Sequence, residues 1–68
     1  MIPAQFEFVE DDIIKFVQVV EKFTDPNDGL MYRVVVRWDN WSIVRQECQC
    51  KVVTEEEILE MLKTRVDM

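Results

Sequence analysis

Residues 29–41, GLMYRVVVRWDNW, put Leu30, Tyr32, Val34, Val36 and Trp38 on one side of an extended chain and Met31, Arg33, Val35 and Arg37 on the other. A period of two is the pattern of a half-buried antiparallel strand. This strand commits the chain to a sheet, because one strand needs neighbours to bury its apolar side. With 68 residues to build from, a domain buries only about 60% of the surface its unfolded chain exposes. A core that thin invites help from a second copy or a partner.

Turn chemistry locates the neighbours. TDPNDG, residues 24–29, places Pro26 where φ is already near −65°, Asn27 and Asp28 in the bend and Gly29 where φ must be positive. A hairpin is therefore expected between the strand starting at Leu30 and a strand over Phe16 to Phe23, with room for a short helical turn before Phe16. Ile and Val crowd that upstream segment and are stiff in helices. A second turn is expected at Asp39 and Asn40, followed by a third strand over WSIVRQEC (residues 41–48), an edge whose charges discourage stray pairing. QCKVV (49–53) reads as a short connection, and residues 1–11 as an extended lead-in to a single domain over 12–68.

Thr54 followed by Glu55, Glu56 and Glu57 is a capping box opening a helix from about Glu55 to Arg65. Three acids at its positive end and Lys63 and Arg65 near its negative end suit the macrodipole. At 100° per residue, Met61, Ile58, Leu62, Val66 and Leu59 span roughly 160° of the helix surface. Ile58 and Met61 can rest on the sheet, which leaves Leu59, Leu62 and Val66 as a second apolar stripe. Two covers are open for it: the lead-in, with Phe6, Phe8 and Val9, or the same stripe on a second copy across a two-fold axis.

Catalytic equipment is missing. The chain has no histidine, one serine (Ser42) and one glycine, which excludes imidazole-based acyl transfer and a glycine-rich phosphate loop. Cys48 and Cys50 fall short of the four ligands of a structural zinc site, and neighbours two apart on a strand form a strained disulfide ring, so reduced thiols in an intracellular protein are expected. No cofactor or metal is expected. A net charge of −6 disfavours nucleic acid, no apolar run reaches the roughly 18–20 residues of a membrane span, and no export leader is visible. Trp38 ends the in-facing series and belongs to the core, whereas Trp41 is open to a partner or to a stacked cation.

The stretch VVEKFTDPNDGLMYRVVVRW and the terminal EILEMLKTRV resemble the chromoshadow domain of the heterochromatin protein 1 family, over about residues 12–68. The resemblance implies an α+β fold, three antiparallel strands packed by a C-terminal helix, and a non-enzymatic homodimerisation and partner-recruitment role on chromatin in the nucleus. It implies a dimer contact through Leu59, Leu62 and Val66 and a partner site bordered by Met68 and Val66, to which the reading of Trp41 as an open strand-edge aromatic adds Trp41. Met68 stands where the family has a tryptophan beside its Pro-x-Val-x-Leu peptide, and the family's Cys-Pro before the helix is replaced around Val53 to Glu55. Those departures imply a divergent, Rhino-like member, of the kind that marks germline piRNA source loci, with a partner other than the usual peptide. The ordinary chromodomain, whose methyl-lysine cage draws on aromatic residues, is a poorer match, since its Thr-Trp-Glu stretch is absent. The competing expectation is a small acidic inhibitor or nucleic-acid mimic that occupies a basic protein surface.

Overall fold

The computed structural model describes residues 2–66. The alternating stretch forms β3 (Gly29–Asn40), and its apolar side is the centre of the molecule: Tyr32, Val34 and Val36 are buried, and Leu30 and Trp38 pack at the margins. On one flank β3 pairs with β2 (Ile13–Asp25), and on the other with β4 (Arg45–Thr54), both antiparallel. The expected turn between β2 and β3 is present. Asp25 Oδ1 accepts from the amides of Asn27 (2.8 Å) and Asp28 (3.1 Å), and Gly29 takes φ 77°.

The sheet has four strands rather than the three expected. The additional strand, β1 (Gln5–Glu10), comes from the segment read as an extended lead-in, and it pairs antiparallel with β2 so that the order is β1-β2-β3-β4. Phe6 and Phe8 are two apart and so share a face, where both are buried against Val17, Val36 and Tyr32 in one core cluster. What closes this hairpin is Asp11-Asp12, both at positive φ (54° and 64°). Two consecutive left-handed residues are what a two-residue primed turn demands, and Asp tolerates that region better than most residues.

Two boundaries also move. The β3–β4 turn is Trp41 to Val44, not Asp39 and Asn40, which extend β3 and pair with Gln46 and Arg45. Consequently β4 begins at Arg45 and runs through the supposed connection to Thr54. In β2 the register shifts between Val19 and Glu21, so Val20 is the extra residue of a bulge.

The helix α1 (Glu55–Lys63) starts directly off β4. Its capping box is formed in both directions: Thr54 Oγ1 accepts from the Glu57 amide (3.2 Å), and Glu57 Oε1 accepts from the Thr54 amide (3.1 Å). Thr54→Ala is therefore expected to lower stability by about 1 kcal/mol, read as a lower denaturant midpoint with unchanged slope. Ile58 is completely buried on the sheet, with Met61 and Leu62 packed beside it. The helix stops two residues earlier than expected, at Lys63, because the chain turns to add to the outer edge of β1. There the Val9 amide donates to Thr64 O (3.1 Å), the Val66 amide donates to Glu7 O (2.9 Å), and Phe8 bridges Arg65.

Candidate functional site

The turns at Asp11–Asp12 and at Trp41–Val44 lie at the same end of the sheet, since β1–β2 and β3–β4 connections both leave that end of a meander. Asp12, Ile13, Ile14, Asp39 and Trp41 together line one shallow depression there. Apolar side chains dominate the surface around it. Trp41 is 79% exposed, Val44 80% and Ile43 50%, and Ile14 is more than half exposed. Isolated exposed apolar residues are ordinary, but a contiguous group rimmed by charge marks an interaction surface. The rim here is acidic: Glu10, Asp11, Asp12 and Asp39, all exposed.

The backbone presents these side chains at some cost. Asn40 organises the turn, its Oδ1 accepting from the Ser42 amide (3.1 Å) and its carbonyl from the Ile43 amide (3.3 Å). Val44 then sits at φ 50°. A β-branched residue in the left-handed region is an outlier that a Gly or Asn would relieve. Fold economy alone gives no reason for an exposed valine at that position.

Beside this end, Trp38 carries a cation over its ring, but it is the chain's own Lys15, with Nζ 4.5 Å from the ring centroid. The same ammonium donates to Glu10 Oε1 at 2.7 Å. That hydrogen bond, more than any other influence, holds the Glu10 carboxyl below its ordinary range. A methyl-lysine cage built on Trp38 would have to displace Lys15. On the opposite face of the sheet, Arg37 stacks 5.6 Å from the Phe16 ring and donates to Gln18 Oε1 (2.9 Å), and Arg33 stacks 5.7 Å from Phe23 while pairing with Glu21 (3.2 Å). These two layers solvate a face that no helix covers.

The expected site residues are placed as follows. Leu59 lies on the outer side of α1 and is 44% exposed. Leu62 turns inward to pack against the core, and Val66 is half-buried where its amide binds β1. The chain's own amino-terminal segment thus occupies part of the stripe, and the three do not form one exposed patch. Trp41 is at the apolar end described above, away from the α1–β1 seam that holds Val66, and Met68 lies outside the described residues. Cys48 and Cys50 are exposed thiols, and no group of three potential metal ligands exists among the described residues. No helix among the described residues is long and apolar enough to cross a membrane.

Ile43, Val44 and Ile14 were not singled out from the sequence. The available signal was the conflict between apolar side chains and the adjacent Asp39-Asn40 turn residues. Comparisons with protein-family models, with curated proteins and with solved structures found no match to this chain.

Proposed function

We propose that this chain is a non-enzymatic protein-interaction domain that recruits its partner through the apolar, acid-rimmed end of the sheet. The observation that carries this reading is Val44, a β-branched residue kept in the left-handed region and almost wholly in water beside Trp41 and Ile43. Backbone strain with no benefit to packing is the pattern of a position held for recognition. The acidic rim suits a partner with an apolar anchor flanked by Lys or Arg. Chromoshadow-like recruitment on chromatin in the nucleus is the narrower form of the proposal and rests on the sequence resemblance. A homodimer contact on α1 would be led by Leu59, the one member of the stripe left outward.

The acidic-mimic reading receives less support, because the acids have local tasks at separate places: Asp25 closes the β2–β3 turn, Glu57 completes a cap, and Asp11-Asp12 form the β1–β2 turn. The test is affinity capture by the intact chain with each captured protein identified by mass spectrometry. Val44→Asn is expected to raise stability by about 1 kcal/mol as the left-handed strain is relieved, and to lose the partner; Trp41→Ala is expected to lose it with stability unchanged. Capture of the same partners by both variants at wild-type level would remove this end of the sheet from the account.

A further inference from the structure

The two edges of this sheet are not equivalent. The outer edge of β1 is occupied by Thr64–Val66 through main-chain hydrogen bonds. The outer edge of β4 has no strand beside it among the described residues, and α1 runs from the end of β4 to β1, lining one depression with Lys51 and Phe8. An open edge of 10 residues without proline is a template for another strand.

We propose that the occupant is β4 of a second copy, paired antiparallel about a two-fold axis at Gln49. This goes beyond the recruitment reading and does not depend on it. In an antiparallel pair, residues directly opposite share a face of the sheet. With the axis normal to the sheet, only pairings centred on a residue meet that condition, so the candidates can be compared one by one. Centred on Gln49, Glu47 faces Lys51 of the other copy twice over, and Cys48 faces Cys50 twice over. Centred on Cys48, Arg45 faces Lys51, two like-charge contacts. Centred on Cys50, neither Glu47 nor Lys51 faces an opposite charge, and centred on Glu47 or Lys51, that residue faces itself. Opposite charges across a pair of strands are favourable and like charges are not. The charge pattern of β4 therefore selects one register. Lys51 forms no close salt bridge among the described residues, its charge acting on Glu10 only at longer range, and Glu47 has only a 3.7 Å contact with exposed Arg45, so both can add such a pairing.

The two cysteines make the register readable. Opposite residues in antiparallel strands have Cα atoms about 4.5–5.5 Å apart, within the range a disulfide spans. Oxidised glutathione would take two electrons and two protons from a facing pair of thiols, leaving a disulfide and two reduced glutathiones. The experiment is sedimentation of the reduced chain, followed by mild oxidation of wild type, Cys48→Ser, Cys50→Ser and an equimolar mixture of the two variants. A dimer under reducing conditions is expected, with a covalent dimer from wild type and from the mixture and none from either variant alone. A reduced chain that is monomeric at all concentrations overturns the proposal. So does cross-linking of Cys50→Ser alone or of Cys48→Ser alone, which places the axis elsewhere, and so does a dimer whose mixture fails to cross-link, which moves the contact off this edge.

Discussion

Phe8→Ala is expected to bring the domain close to its unfolding midpoint at ambient temperature. Truncating a fully buried phenylalanine typically costs about 3–5 kcal/mol, and a small domain has only about 5–15 kcal/mol to lose, with this one at the low end for its size. Phe8 is buried in the core cluster, forms the strand pair with Lys15, and lies in the residue that bridges Arg65. Its loss opens a cavity beneath α1 and loosens the seam between β1 and the carboxyl-terminal segment. Circular dichroism through a urea titration is the measurement. A midpoint close to wild type would show that β1 is the dispensable lead-in its position in the sequence suggests.

Adjacent residues on α1 separate packing from surface. Ile58→Ala removes a side chain that is 0% exposed and on which β3, β4 and β1 converge, and is expected to cost about 2–5 kcal/mol. Leu59→Ala, one residue on and 44% exposed, is expected to change stability by less than about 1 kcal/mol. The ratio matters more than either value, since it locates the helix's buried side. If Leu59→Ala also shifts the urea midpoint strongly, and does so more at higher protein concentration, then its outer side is buried in a homodimer through α1.

The parts of this fold that could be read beforehand are those where one local signal had no competitor. Strict alternation over Leu30–Trp38 named β3 and its inner side; Pro26 through Gly29 named the turn before it; Thr54 and Glu57 named the start of α1. β1 escaped notice because its alternation is only Phe6, Glu7, Phe8, and because an Asp-Asp pair lacks the Asn-Gly or Asp-Gly signature of a two-residue hairpin. The β3–β4 turn was misplaced for the opposite reason. Asp39-Asn40 has turn chemistry but lies in a strand, while Trp41-Ser42-Ile43-Val44 has strand chemistry and makes the turn. Sequence and backbone disagree most at the end of the sheet where recruitment is proposed, a pattern expected where a residue is held for binding rather than folding.

The fate of Leu59, Leu62 and Val66 follows from the same missed strand. A helical wheel assigns them to one stripe, but it has no knowledge of a fourth strand arriving along the helix's far side. Once β1 is in place, Leu62 has an intramolecular partner and Val66 leaves the helix to pair with Glu7. Exposed apolar surface is then concentrated at the two turns, and the open backbone at β4.

The recruitment claim is tested most directly by amide chemical-shift mapping of the isotopically labelled chain titrated with its captured partner. The account predicts that perturbations centre on residues 11–14 and 39–45, with α1 unaffected. Perturbations confined to the outer side of α1 around Leu59, with Trp41 and Val44 unmoved, would contradict it.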